Sequence, residues 1–417
     1  MSEWKTYKLG DLIDVQNGYA FKANDFSDKG IPVIKIKNIV SPRILFDECE
    51  YYEGNLDKRL EQFVIKKGDI LISMTGSHVN QIASAVGKVG KYQFNYPALL
   101  NQRVGKLFTK NEELLNQDYF YYHISRFETQ VDLASSAGGS ANQANISPSQ
   151  IKNLEITIPD LPTQTQIAQI LTSLDDKIEL NLQMNQTLEA MAKAIFKEWF
   201  VDFKFPGFDG EFVDGLPKGW RIDSISEIMY VQNGYAFKST DFTDEGNNGI
   251  LKIKNISNKV VDIVNMQFVS DEVALKIDNR FKVESGDLLI AMTGAEVGKV
   301  GVVPNTEKNL WLNQRVGSFK EKVKYSKWFC YLILSTNEYQ NILLSSASGS
   351  AQPNISGSQI ERTEIILPSV NLIEEFGSVV NSLFEKILEN YSFNQSLIQT
   401  RDTLLPKLMS GKIQIKN

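Results

Sequence analysis

Two stretches of this chain are copies of one another, and that repetition limits the possible fold more than any other feature. Gln16-Asn17-Gly18-Tyr19-Ala20-Phe21-Lys22 returns letter for letter as Gln232-Asn233-Gly234-Tyr235-Ala236-Phe237-Lys238. Trp4 matches Trp220, and Ile34-Lys35-Ile36-Lys37-Asn38-Ile39 matches Leu251-Lys252-Ile253-Lys254-Asn255-Ile256. Gly68-Asp69 opens a run ending Met74-Thr75-Gly76, as Gly286-Asp287 opens one ending Met292-Thr293-Gly294. Asn101-Gln102-Arg103-Val104-Gly105 returns as Asn313-Gln314-Arg315-Val316-Gly317, and Asn145-Ile146-Ser147 as Asn354-Ile355-Ser356. The offset is 216 residues at the front (232 − 16) and 209 at the back (354 − 145). Solenoid units run about 20–50 residues, so this is a tandem duplication of a whole domain-sized unit. A two-headed chain points to a two-part target.

The 417 residues suffice for two or three domains with buried cores. An apolar fraction of 42% is that of a globular protein, and no apolar run approaches a membrane span. The opening Met-Ser-Glu-Trp-Lys carries no apolar signal core. Cys49 and Cys330 do not hold matching places in the repeats, which argues against a disulfide framework and for a reducing cytoplasm. A net charge of −6 tells mildly against free-standing nucleic-acid binding, although the placement of charge matters more than its sum. Lys35 and Lys37 alternate with isoleucines, as do Lys252 and Lys254. Period two predicts one lysine-bearing strand face and one core face. That face is either simply solvated or part of a positive surface completed by a partner subunit.

Each repeat has a mixed front and a helical back. Short β-rich runs at 32–40, 69–74 and 154–158 alternate with Gly-containing turns, and a helix is expected over 116–129. Beyond Pro159 and Pro162 the pattern becomes that of a long helix. Ile167, Leu171, Leu174, Ile178, Asn181, Asn185, Leu188, Ala192, Ile195 and Trp199 recur at steps of four and three, a coiled-coil seam. Shifted by 209, the second copy gives Phe376, Val380, Leu383, Ile387, Asn390, Asn394, Leu397, Arg401, Leu404 and Leu408. The 33 residues from Ile167 to Trp199 make a rod of about 50 Å. Asparagine stands at the same two seam positions in both copies. A buried polar seam residue costs stability but fixes register. Antiparallel helices with a pseudo-dyad between the asparagines would set Asn181 opposite Asn394 and Asn185 opposite Asn390. The expected fold class is therefore α+β: two similar domains and two long helices packed as an antiparallel coiled coil, a pseudo-two-fold repeat. The expected boundaries are 1–160 and 206–369 for the domains (the second with its Gly/Pro-rich linker), and 161–205 and 370–417 for the helices.

Motifs for bond-breaking chemistry are missing. No Asn/Asp-Pro-Pro-aromatic tetrapeptide of amine methylation occurs. Gly294-Ala295-Glu296-Val297-Gly298-Lys299-Val300 has the short spacing of a turn rather than of a phosphate loop, with Val where a magnesium-holding Ser/Thr would stand. His78 and His123 lie in no Cys/His array, so no zinc site is expected. His123, on a helical stripe, reads as a packing residue. The duplicated residues are Asn, Gln, Gly, Ser, Thr, Tyr, Lys and Arg, side chains that read surfaces.

The order of domain, long helix, domain, long helix resembles the specificity (S) subunit of type I restriction-modification enzymes over essentially the whole chain. The residues that carry the likeness are Asn17-Gly18-Tyr19-Ala20-Phe21-Lys22, Gly68-Asp69-Ile70-Leu71-Ile72, Asn145-Ile146-Ser147, Asp175-Asp176-Lys177-Ile178-Glu179 and Ile195-Phe196-Lys197-Glu198-Trp199-Phe200-Val201-Asp202-Phe203. Two departures are visible: Thr165-Gln166 stands where the family often has Glu-Gln, and Met409 stands where Phe200 would map.

The resemblance implies two target-recognition domains, each reading one half of a bipartite sequence in double-stranded DNA. It implies helices that set the spacing and dock two methyltransferase subunits, which would hold S-adenosylmethionine. Restriction-translocase subunits would cut. This chain would be non-catalytic and would carry no cofactor, no metal and no membrane contact.

Base reading needs amides or guanidinium groups at base edges, with separate phosphate contacts for positioning. The candidates in the first domain are Asn17, Tyr19, Lys22, Lys35, Lys37, Thr75, Ser77, His78, Asn80, Gln81 and Arg103. Those in the second are Asn233, Tyr235, Lys238, Lys252, Lys254, Thr293, Ala295, Glu296 and Arg315. The arginines reach phosphate or guanine, or brace the loops from behind; the tyrosines stack on a flipped base or pack a turn. Ten residues separate Gly76 from Gly87 but only three separate Gly294 from Gly298, so seven extra residues (10 − 3), around 79–85, predict half-sites that differ. The rival readings are a stand-alone DNA methyltransferase or restriction component, and a two-headed protein-interaction scaffold. Methylation by the isolated chain would favour the first, and salt-independent binding the second.

Overall fold

The computed structural model describes residues 4–84, 86–140, 143–256, 259–347 and 353–414. Two compact units emerge, Met1–Asp176 with Ile398–Asn417, and Lys177–Leu397. The division falls inside the long helices, so each unit takes part of both.

In the first unit, strand Lys5–Lys8 pairs antiparallel with Glu155–Ile158, tying the front of the domain to its end. A four-stranded antiparallel sheet runs in the order Val89–Lys91, Ile70–Ser73, Val104–Thr109, Ile13–Asn17. A five-stranded sheet has the order Phe26–Ser27, Glu50–Tyr52, Ile31–Ile34, Ala98–Leu100, Val64–Ile65, with the third and fourth strands parallel. Ile70–Ser73 shows why the core lies where it does. All four residues are buried. Ile70 and Ile72 join a core built on the helices, while Leu71 joins the core against the second sheet. A strand covered on both faces reads as an unbroken apolar run. The second unit repeats the plan: Leu288 and Ile290 face one core, Leu289 and Ala291 the other. Its sheets keep the same orders and the same single parallel pair, Asn248–Leu251 with Asn309–Leu312.

Two local expectations need correction. The run 32–40 is not one strand: Ile31–Ile34 is followed by a 3-10 turn, Ile36–Asn38. The Asn38 side chain accepts from the Lys35 N–H at 3.0 Å and donates to the Leu45 carbonyl at 3.0 Å, which bends the backbone. Asn255 does the same for Lys252. Lys35 and Lys252 therefore precede the turns and Lys37 and Lys254 lie within them, so the lysines do not line a strand face. The helix expected over 116–129 is two helices, Gln117–Ile124 and Phe127–Ser136. Asn116 caps the first, accepting from Asp118 N–H and Tyr119 N–H at 3.0 and 2.9 Å.

The long helices are Leu161–Phe200 and Val370–Met409, 40 residues each. Asp160 starts the first by accepting from Thr163 N–H at 2.9 Å, and the Thr163 hydrogen bonds hold its carboxyl below the usual carboxylate range. Gln164, fully buried, anchors the first turn: its amide donates to the Leu114 and Pro159 carbonyls and accepts from Asn116 N–H, each at 2.9 Å. The Gly/Pro-rich linker contains a hairpin, Phe212–Val213 with Leu216–Pro217. Phe205 stacks on Trp220 at 5.2 Å, and Phe203 meets the same indole edge-on at 5.5 Å.

Candidate nucleic-acid interface

The duplicated motifs meet at one edge of each unit, joined by backbone hydrogen bonds. In the first unit Tyr19 N–H donates to the Leu100 carbonyl and Gln102 N–H to the Tyr19 carbonyl, both at 2.8 Å. Met74 N–H donates to the Arg103 carbonyl at 2.9 Å, and Ile146 N–H to the Met74 carbonyl at 3.0 Å. The second unit copies this ladder with Tyr235 to Leu312, Gln314 to Tyr235, Met292 to Arg315 and Ile355 to Met292, at 2.8 to 3.0 Å. The loop after Ile13–Asn17 (Met229–Asn233 in the second unit), the Asn-Gln-Arg turn, the Met-Thr-Gly strand end and the Asn-Ile-Ser segment thus lie side by side. Gly18 and Gly234 allow this, since a Cβ there would stand 2.1 and 2.2 Å from the Asn101 and Asn313 carbonyl oxygens.

The ladder sorts the candidates into exposed groups and braces. Asn17, Lys22, Arg103, Asn233, Lys238 and Arg315 are exposed. Among the described residues, neither arginine side chain and neither Lys22 nor Lys238 ammonium has a hydrogen-bond or ion-pair partner. Thr75 and Thr293 lie behind this surface. Both are buried, and their hydroxyls donate to Asn145 and Asn354 Oδ1 at 2.8 Å. Tyr19 packs edge-on against Phe21 at 4.9 Å with Arg59 over its ring, and Tyr235 packs against Phe237 and Phe281 at 5.1 and 5.5 Å. Tyr19 is half-buried in its turn, while Tyr235 is exposed.

Lys35 and Lys252 are braces as well. Lys35 pairs with Glu50 and sits 3.5 Å over the Phe26 ring; Lys252 bonds Gln267 and sits 3.4 Å over Phe242. Burial, then Lys254, pulls the Lys252 ammonium below its ordinary pKa. Lys37 approaches Glu48 and Glu50 at 3.9 and 3.8 Å, and Lys254 is exposed.

The long insertion of the first unit forms a 3-10 segment, Val79–Ser84, kinked at Gln81. Its stem is closed by Ser77 N–H to the Ser84 carbonyl and by a hydroxyl pair at 2.9 Å. This commits Ser77 to the fold and leaves Asn80 and Gln81 exposed, while His78 is half-buried. Ala85, part of the same expected insertion, lies outside the described residues. In the second unit a short turn, Gly294–Glu296, replaces it; Ala295 is exposed and Glu296 pairs with Lys299 at 2.5 Å.

Sequence reasoning omitted Gln102 and Gln314, both exposed beside the arginines, and Asn145 and Asn354. The signal was present, because all four belong to duplicated motifs. His123 is packing: it is buried, and burial, then Arg126, pushes its imidazole down to about 3.

The seam asparagines meet. Asn181 Nδ2 donates to Asn394 Oδ1 at 2.7 Å, and Asn390 Nδ2 to Asn185 Oδ1 at 2.8 Å, so the two helices run antiparallel within the second unit. Asn394 Nδ2 also reaches the Ile178 carbonyl at 3.2 Å.

Among the described residues no helix is long and apolar enough to cross a membrane. A family model described as the type I restriction modification DNA specificity domain matches residues 1–190 and again 217–391. The HindI specificity subunit of Haemophilus influenzae is 28% identical, covering 99% of this chain and 100% of that protein. The MjaIX specificity subunit of Methanocaldococcus jannaschii is 25% identical over 99% and 94%. In fold the chain is similar to the type I restriction-modification S subunit from M. genitalium, with TM-score 0.63 and 19% identity over 98% of this chain and 96% of that one. Two matches to one family model, one in each copy of a duplicated α+β domain followed by a long helix, place this chain in the type I restriction-modification DNA specificity family.

Proposed function

We propose that the two exposed loop clusters read a bipartite double-stranded DNA target, one half-site each, as the non-catalytic specificity subunit of a type I complex. One observation carries this reading. The same exposed set (Asn17, Lys22, Gln102 and Arg103; Asn233, Lys238, Gln314 and Arg315) recurs on the same backbone ladder in both units, its cations unneutralised. Guanidinium pairs with guanine O6 and N7 or with phosphate, and amides pair with adenine N6 and N7. A chain of net charge −6 can still present local positive surface, with a partner supplying more.

The 40-residue helices are each about 60 Å long, more than one DNA turn of about 34–36 Å. In this reading they set the gap between half-sites and dock two methyltransferase subunits. S-adenosylmethionine and methyl transfer to adenine N6 belong to those subunits, cleavage to restriction-translocase subunits, and the whole works in the cytoplasm.

The test uses the chain co-purified with its methyltransferase partner. Arg103→Ala is expected to relax or abolish methylation at one half-site and Arg315→Ala at the other, each loss worth about 1–3 kcal/mol of discrimination. Affinity should fall steeply with salt. An unchanged methylome motif in both variants would sink the assignment.

A further inference from the structure

The seam asparagines pair across the helices but do not tell one helix from the other. At the 209-residue offset (370 − 161), Asn181 corresponds to Asn390 and Asn185 to Asn394. Two first helices packed antiparallel about the same dyad would set Asn181 against Asn185; two second helices would set Asn390 against Asn394. Every amide would keep an amide partner. The asparagines alone therefore permit like-with-like pairing between two copies of this chain.

One cross-helix contact does distinguish them. In the first unit Arg401 Nη1 donates to Asp175 Oδ1 at 2.8 Å, and the Tyr122 hydroxyl donates to Asp175 Oδ2 at 2.7 Å. The Arg401 and Asp175 side chains are only 14% and 16% exposed. Asp402, mostly exposed, gives Arg401 a second partner, but Asp175 has no other cation among the described residues. At the corresponding positions of the other copy stand Phe384 for Asp175, Ala192 for Arg401 and Tyr331 for Tyr122. There the surroundings are apolar: Ala192 and Phe384 share a buried cluster, and Phe384 stacks on Trp328 at 4.2 Å with Tyr331 edge-on at 5.3 Å.

We propose that the Asp175–Arg401 pair marks helix identity, making each first helix take a second helix and disfavouring exchange with the like helix of a second copy. In a first-with-first pairing, Asp175 would meet Ala192, a carboxylate in a nearly dry place without its cation. In a second-with-second pairing, Arg401 would meet Phe384 and lose Asp175. A buried ion pair is roughly neutral against an apolar substitute, whereas a stranded buried charge is strongly unfavourable. The pair therefore selects the partner more than it adds stability.

Charge reversal in the full-length chain tests this. Asp175→Arg and Arg401→Asp, made singly, set like charges together and are expected to melt several degrees below wild type. Refolded together, the two variants can match a first helix of one chain with a second helix of the other. Light scattering should then show a species of twice the single-chain mass. The double reversal in one chain should return to single-chain mass and near wild-type melting. Singles that melt like wild type, a mixture that stays at single-chain mass, or a double reversal no better than the singles would each overturn the proposal. A second variant, Asp175→Phe with Arg401→Ala, copies the apolar end. It should fold, yet exchange helices between differently tagged copies more than tenfold above wild type, and a folded variant that does not exchange would refute the mark.

Discussion

Gly18 and Gly68 are both duplicated glycines, for different physical reasons. A Cβ at Gly18 would stand 2.1 Å from the Asn101 carbonyl oxygen, a backbone atom that cannot turn aside. Gly68 has open space but φ +95°. Gly18→Ala is accordingly expected to unfold or grossly distort the loop cluster, seen as loss of a cooperative melt. Gly68→Ala should cost only about 1–2 kcal/mol through its left-handed backbone. His123 makes a pH prediction. Its imidazole stays neutral in the fold down to about 3, while the unfolded chain protonates near 6.5. The stability due to this residue is therefore complete above pH 6.5 and is lost as pH falls from there toward about 3, at roughly 1.4 kcal/mol per pH unit. His123→Leu, which copies Leu332 of the other repeat, should flatten denaturant-measured stability over that window. An unchanged slope would show that burial does not keep the ring neutral.

Asn181 and Asn394 form a buried amide pair across the two long helices. Asn181→Leu alone leaves the Asn394 amide short of a partner and is expected to cost about 1–3 kcal/mol, whereas adding Asn394→Leu should recover part of that loss. The double variant should stay folded but lose amide-exchange protection in both helices if the pair holds their alignment. The seam itself was legible because steps of four and three admit only a long helix with one buried stripe, and every seam position is buried or half-buried. The run 32–40 misled because apolar–lysine alternation fits a strand, while the deciding interaction is a side-chain amide capturing a backbone N–H three residues back. Asn38 and Asn255 were visible in the sequence, and their preference for local backbone bonds was the unused cue. The break after Ile124 was hidden because Phe127 keeps the helical spacing of Tyr119, Tyr122 and His123, although Phe127 is exposed in the structure.

For the chain as a whole, the unequal insertion and the equal helices bear on target reading separately. Replacing 77–86 by the short turn of the other copy should change one half-site and leave the other intact, read by methylome sequencing; changes in both would show that the loop is not a local reader. Adding one turn, about 5.4 Å, to both long helices should widen the unread gap by a base pair or two at about 3.4 Å each. An unchanged gap would refute a ruler role for the helices.

The duplication, the two helix seams and the pairing of Asn181 with Asn394 and Asn185 with Asn390 followed from the letters alone. Repeats and periodicity are local patterns, and an antiparallel pseudo-dyad maps one copy onto the other without further information. Which duplicated polar residues face outward did not follow. Thr75 and Arg103 are equally polar and equally repeated, yet one is buried against Asn145 and the other stands exposed beside it. That choice is made by which face of a strand end the neighbouring segments cover, and those neighbours are brought in from about 70 residues away along the chain.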